Sequence, residues 1–330
     1  MIEKIVAGTG FSGVVRVDRG GATEAAAFGL AHRGHGIANT VDTRFAIASG
    51  TKGLTALTVA SLIQSGHLSL ATTARSLLGD DLPLIDDRVT VEHLLAHRSG
   101  IGDYFDEDDH NDVNDYGLPV GIHELDTTER FLRVLDGYPT KFPPDERFSY
   151  CNGGYVVLAL LAERAGGSPF PELVRERVTE PAGMVDTAFL RSDEPDGRTA
   201  LGYLAADGLR TNVLHLPVTG TGDGGIYSTA ADIHALWAAV FAGRVVSADR
   251  VAKLVRPRSD VPKQSMRYGL GFWLHQSRDV VVLIGFDAGV SFRSCHEPGT
   301  GVTCTVLANT SAGAWPVARG LESELGIGAG

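Results

Sequence analysis

The chain has 330 residues, 43% apolar and 21% charged, which places it among globular proteins with room for one large or two ordinary domains. Its 29 Lys and Arg against 40 Asp and Glu leave a net charge of −11 with no basic run, which argues against nucleic acid and for a small molecule or another protein as partner. No stretch reaches the length of a membrane span, and the start MIEKIVAGTGFSGVV lacks a basic segment followed by a long apolar one, so a cytoplasmic protein off the membrane is expected.

Residues 11–33 alternate apolar and polar around Asp18-Arg19-Gly20-Gly21, the pattern of a hairpin. Thr43 to Ala48 leads into a segment where Leu54, Leu57, Ala60, Leu62 and Ile63 recur at helical spacing from Gly50 to Ser65, with Gly66 at the stop. Few charges interrupt that helix, so it should be buried. From about residue 67 to 214 the chain reads as mainly helical with long loops. The clearest helical pieces are TVEHLLAH, TTERFLRVLDG and NGGYVVLALLAERAGG, the last stopped by Gly166-Gly167. The run GDYFDEDDHNDVNDYG between the first two is a loop.

After about residue 215 a glycine-rich turn precedes the helix STAADIHALWAAVFAG. YGLGFWLHQ, DVVVLIGF, VSFRSCHE and GVTCTVLAN then read as successive strands of an antiparallel meander. A last helix, AWPVARGLESELG, carries Pro316 early, where proline is tolerated. The expected fold is α/β: residues 1–66 and 215–330 form an antiparallel sheet flanked by helices, and 67–214 an inserted, mainly helical domain. A site at their junction is the natural expectation.

The three cysteines, Cys151, Cys295 and Cys304, are too few for a disulfide framework. Pairing about the Pro298-Gly299-Thr300-Gly301 turn sets Cys295 opposite Cys304, where a cross-strand disulfide is geometrically open. Two reduced thiols are the expectation for a cytoplasmic protein.

Two constellations bear on chemistry. In FAIASGTKGLTAL, Ser49 at a helix start places Lys52 one turn on and on the same face. A lysine amine held there can take the serine proton, and the helix N-terminal N–H groups favour a developing oxyanion. The plain alternative is a serine cap beside an incidental lysine. In FPPDERFSYCNGGYVV, Tyr150 can relay a proton and Asn152 offers an amide, although Y-x-N by itself equally describes a buried aromatic and a helix cap.

Together the pieces are far more specific. S-x-x-K is followed by Y-x-N roughly a hundred residues on, accompanied by TVEHLLAHRSGIGDY, GDGGIYSTAADI and YGLGFWL. From about residue 11 to 310 the chain resembles the serine β-lactamase-like family, which includes class C β-lactamases, D-alanyl-D-alanine carboxypeptidases, D-aminopeptidases and esterases. The resemblance implies the β-lactamase/transpeptidase-like fold, with Ser49 as nucleophile, Lys52 as its base and Tyr150 as the proton relay. It makes Asn152 the amide orienting substrate and lysine. It also implies an oxyanion hole from the N–H of Ser49 and that of Phe286 on a sheet edge.

The family's third motif, K-T-G or H-x-G, aligns with Leu283-Ile284-Gly285, so an apolar residue stands where relatives carry a polar or cationic one. That departure argues against substrates with a carboxylate beside the scissile bond and for neutral acyl groups. Arg293 and His296, close in sequence, are candidates to supply the missing polar group.

Other signals point elsewhere. His93 and His97 have a zinc-compatible spacing, but Glu92 lies outside the pair and no third ligand is evident, so packing is expected and no metal. The glycines of TGTGDGGIYSTAADI miss the second half of a dinucleotide fingerprint and read as a tight loop near the site, with Thr229 and Asp232 as a capping pair and no cofactor. The seven acidic residues from Asp103 to Asp115 read as a solvated loop, which the resemblance implies borders the site mouth, where it is expected to bias the site toward cationic or amine-bearing substrates. Asp112, Asn114 and Tyr116 imitate a calcium loop only in part, since the twelfth position is His123. Cys151 is no nucleophile, as no histidine is placed by motif to activate it.

The function expected is a serine hydrolase working through an acyl-enzyme on a small-molecule ester, amide or peptide. An esterase comes first; a D-amino-acid peptidase, amidase or β-lactamase-like enzyme comes next. An acyltransferase of the same fold and a binding or sensing module without turnover are the alternatives. The sequence does not set the oligomeric state.

Overall fold

The computed structural model describes residues 1–106 and 117–328. Its largest element is an eight-stranded sheet of β1 (Gly13–Arg19), β2 (Ala22–Phe28), β3 (Ser259–Val261), β4 (Met266–Tyr268), β5 (Trp273–His275), β6 (Val281–Asp287), β7 (Val290–Glu297) and β8 (Val302–Ala308). The order is β2-β1-β8-β7-β6-β5-β4-β3, each pair antiparallel. The two ends of the chain therefore pair as neighbouring strands next to the β2 edge, where Val14 pairs with Leu307 and Val17 with Cys304.

Alternation along the strands decides what covers each face. Val14, Leu283, Phe292 and Leu307 point into the larger core with α1 (Thr51–Gln64) and α2 (Asn152–Gly166), which also takes in α3 (Ala230–Phe241). Val15, Val17, Val282, Cys295 and Val306 point the other way, under α4 (Ala314–Leu325) and the five-residue helix Ile2–Val6. Helix α1 is buried along nearly its whole length, as its lack of charge predicts. Glycine ends α2 as expected, with Gly167 left-handed at φ 73°.

Two expected elements come out differently, and one was not expected. YGLGFWLHQ is two strands, not one: Gly269 N–H donates to the Phe272 carbonyl at 2.9 Å, turning β4 back into β5. Gly271 sits there at φ 91°, so close to α1 that a Cβ would lie 2.2 Å from that of Ala56. TTERFLRVLDG forms only a 3-10 turn, Thr128–Phe131, and the short helix Leu132–Leu135. Ile2–Val6, unmarked by any periodicity, packs onto α4, where Ile5 lies against Gly320.

Cys295 and Cys304 are register partners across β7 and β8, as the turn predicts, and both are buried free thiols. Among the described residues no helix is long and apolar enough to cross a membrane.

Candidate active site

Ser49 lies in a 3-10 turn, Ala48–Gly50, that runs straight into α1. The turn is anchored from both sides: Ile47 N–H donates to the Ile226 carbonyl at 2.9 Å, and Ile226 N–H to Thr51 Oγ1 at 3.2 Å. Ala48 is held at φ 44°, a left-handed conformation that costs a non-glycine residue roughly 1–3 kcal/mol and turns the next side chain outward. β6 presses against this turn so closely that a Cβ on Gly285 would stand 1.9 Å from the Ile47 carbonyl oxygen. Only glycine permits that approach.

Lys52, one turn into α1 and 2% exposed, aims its amine back at the turn. Its Nζ lies 2.8 Å from each of Ser49 Oγ, Asn152 Oδ1 and the Asp223 carbonyl oxygen. A protonated amine fills all three contacts as a donor. A neutral one keeps two N–H groups for Asn152 and Asp223 and turns its lone pair to the Ser49 hydroxyl. The Asp223 carbonyl arrives from the glycine-rich segment 220–225, in which Gly222 also accepts from Thr55 Oγ1 at 2.7 Å. A Cβ on Gly220 would lie 2.2 Å from the Gly224 carbonyl oxygen, so the loop folds tightly on itself to deliver these carbonyls to α1. That is the tight loop the glycines predict. Thr229 caps α3 by accepting from Asp232 N–H at 3.2 Å, but the Asp232 carboxylate turns to Asp186 N–H and Thr187, so the capping is one-sided.

Asn152 opens α2. Besides accepting from Lys52, its Nδ2 donates to the Phe105 carbonyl at 3.1 Å. The N–H groups of Asn152 and Gly153 converge on Asp103 at 2.6 and 2.8 Å. Asp103, expected in a solvated loop, is 5% exposed and receives the first N–H groups of α2. Burial pushes its carboxyl up to about 6, against the pull of three backbone N–H groups. Asp223 is likewise raised by burial, while Lys52 and the Tyr104 hydroxyl, 2.5 Å from Oδ2, pull the other way. Glu107 to Asp115, with the calcium-like Asp112, Asn114 and Tyr116, lie outside the described residues.

The Tyr150 ring has Lys52 Nζ 5.0 Å from its centroid and Trp273 stacked at 6.0 Å. His97, expected only as packing, holds this segment in three ways. Its carbonyl accepts from Ser149 N–H at 2.9 Å, its Nδ1 from Cys151 N–H at 3.1 Å, and its ring lies against that of Tyr150. Burial, with the Lys52 charge nearby, pushes the imidazole pKa well down, so it stays neutral. His93 serves a different end, closing a capping box with Thr90. Cys151 is buried and its thiol pKa pushed well up, as befits a structural residue.

Phe286 stands on the open edge of β6. β5 covers that edge only at Val281 and Val282, and no strand pairs with it from Leu283 onward among the described residues. Because His275 N–H donates to the Val280 carbonyl, the even-numbered residues of β6 turn their backbone groups to this side. The β6–β7 ladder continues without a register shift to Asp287, so the Phe286 N–H faces the opening beside Ser49. Leu283, at the third-motif position, is 2% exposed and packs where a Cβ on Gly53 would fall 2.5 Å from its Cδ2. Neither candidate replaces it: Arg293, on the cleft lining, pairs with Glu322, and His296 stacks on Trp237 and bonds Thr303 Oγ1 at 2.8 Å.

Ser49, Tyr150, Trp273 and Phe286 share a cleft of about 960 Å³. The structure thus brings the sequence-predicted Ser49, Lys52, Tyr150, Asn152 and Phe286 to one place. Asp103, His97 and the Asp223 carbonyl carried no signal in the sequence for their parts in it.

Known proteins are similar to this chain in sequence and fold. A penicillin-binding protein from Bacillus halodurans has a solved structure that matches with a TM-score of 0.92 at 34% identity, covering 98% of this chain and 100% of that one. The putative penicillin-binding protein PbpX of Bacillus subtilis is 27% identical over 80% of this chain and 62% of its own length. Esterase EstB of Burkholderia gladioli is 36% identical over 53% of this chain and 45% of its own. The chain thus spans less than two thirds of these two curated relatives. The family model described as Beta-lactamase matches residues 1–327, and the chain belongs to that family.

Proposed function

We propose that the protein is a serine hydrolase that forms an acyl-enzyme at Ser49. The observation that carries the reading is the 2.8 Å contact of Lys52 Nζ with Ser49 Oγ, the amine being fixed by Asn152 and Asp223. In this scheme Lys52 takes the serine proton as Oγ attacks the carbonyl carbon. The N–H groups of Ser49 and Phe286 hold the oxyanion. Tyr150 passes a proton to the leaving group, and a water, deprotonated by the same groups, then releases the acid.

Esters of neutral acids are the proposed substrates, with D-amino-acid amides and peptides second. The reading is supported by Leu283, which fills with hydrocarbon the position where a polar group would meet a substrate carboxylate. It is also supported by a relative named as an esterase. The proposed setting is the cytoplasm, with a small-molecule substrate and no nucleic acid or membrane partner. The test is steady-state hydrolysis of an aryl acetate, a D-phenylalanine amide and a penicillin, with Ser49→Ala and Lys52→Ala controls. The ester turned over fastest, with both variants down about 10³-fold or more, supports the reading. Hydrolysis that persists in Ser49→Ala refutes it.

A further inference from the structure

Two cavities flank the proposed oxyanion hole, and they share no lining residue among those described. The cleft of about 960 Å³ takes Ser49, Tyr150 and Phe286. A second pocket, of about 70 Å³, takes Ala48, Asp223, Gly224 and Asp287. The chain neighbours Ala48-Ser49 and Phe286-Asp287 are each divided between the two, so the proposed N–H donors sit on the boundary. A carbonyl bound there must send one substituent each way.

Chemistry decides which substituent goes where. A general acid must reach the atom it protonates. Tyr150 lines only the large cleft, so the leaving group belongs there, among Trp273, Trp315, Phe148 and Phe286. The acyl chain then enters the small pocket, walled by Phe131, Leu190, Leu216 and Pro217. Its volume gives room for about five water-sized groups. Among the described residues no cationic side chain lines it, whereas Asp223 and Asp287 both do.

Resting on the hydrolase reading above, we infer that the enzyme is selective on the acyl side and permissive on the leaving-group side: it takes esters of short, non-anionic acids with bulky, including aromatic, alcohols. Leu190 and Leu216 set the length limit. The short chain is desolvated among these side chains, while longer ones must displace them.

The experiment measures kcat/KM for two series: 4-nitrophenyl acetate, butanoate and octanoate, and acetate esters of small and polycyclic phenols of matched acidity. A glutarate half-ester is compared with the pentanoate. The expected result is butanoate over octanoate by about tenfold or more, pentanoate over glutarate by about tenfold or more, and a spread of only about threefold across the phenols. Leu190→Ala or, independently, Leu216→Ala should narrow the butanoate–octanoate ratio, and Asp287→Asn the glutarate penalty. Equal rates for all chain lengths, or a length limit that neither leucine variant moves, overturn the acyl-pocket assignment and leave the hydrolase reading standing. Absence of turnover across both series, with no Ser49 acylation, overturns both.

Discussion

The rings of His97 and Tyr150 lie 4.3 Å apart, tilted by 36°, with the His97 Nδ1 also holding the Cys151 N–H at 3.1 Å. One buried side chain thus fixes both the phenol and the backbone that presents it. His97→Ala should lower kcat by about 10- to 100-fold, because displacing a proton relay by about an ångström has that effect, and should change KM little. Kinetics on protein shown by circular dichroism to be folded provide the check. A rise in KM at constant kcat would remove His97 from the positioning of Tyr150.

Gly285 tests the packing of β6 on the Ser49 turn. Gly285→Ala places a methyl 1.9 Å from the Ile47 carbonyl oxygen, and backbone must move to accept it. The variant should lose about 1–3 kcal/mol of stability by urea denaturation. It should also lose about 10²-fold in acylation rate, because the two proposed oxyanion donors separate.

Asp103 gives a dependence on pH. Burial raises its carboxyl to about 6 from an unfolded value of 3.8. Between those values the folded protein keeps a proton the unfolded chain has lost, so this stabilising contribution is complete below the unfolded pKa and lost as pH rises through the folded one. The difference in unfolding free energy between wild type and Asp103→Asn should shrink by about 3 kcal/mol from pH 3.5 to 7. Urea titrations at intervals across that range measure it. A difference that grows with pH would contradict the buried, proton-holding carboxyl.

Leu283 bears on the kind of substrate. Leu283→His puts a polar ring where hydrocarbon packs beside Gly53. It should cost about 1–3 kcal/mol of stability. It should also raise the rate of acylation by a penicillin relative to that by an aryl acetate, read by stopped-flow fluorescence. An unchanged ratio would mean that Leu283 does not select against carboxylates.

Most of the fold and part of the site were legible in the sequence, for identifiable reasons. Ser49 with Lys52, and Tyr150 with Asn152, are local motifs, each carried by one helix start, and their order along the chain supplied the resemblance. The strands β1, β2, β6, β7 and β8 are long enough to show alternation, and the Pro298–Gly301 turn set Cys295 against Cys304. What could not be read depends on distant contacts. Asp103 looks like the head of an acidic run, yet it is buried because two N–H groups of α2, some fifty residues on, need an acceptor. Lys52 takes its third contact from the backbone of Asp223, and a carbonyl leaves no mark on residue type. YGLGFWLHQ reads as one strand because its turn, at Gly269 to Phe272, is set by distant contacts, with α1 at Gly271 and with Leu254 at Gly269 and Leu270.

The central claim, that Lys52 activates Ser49 as a nucleophile, is tested most directly by intact-mass analysis after incubation with a fluorophosphonate. A single adduct is predicted, absent in Ser49→Ala and formed far more slowly in Lys52→Ala. Folded wild-type protein that gains no adduct, or an adduct that survives Ser49→Ala, would contradict the claim and leave a family fold without the proposed chemistry at Ser49.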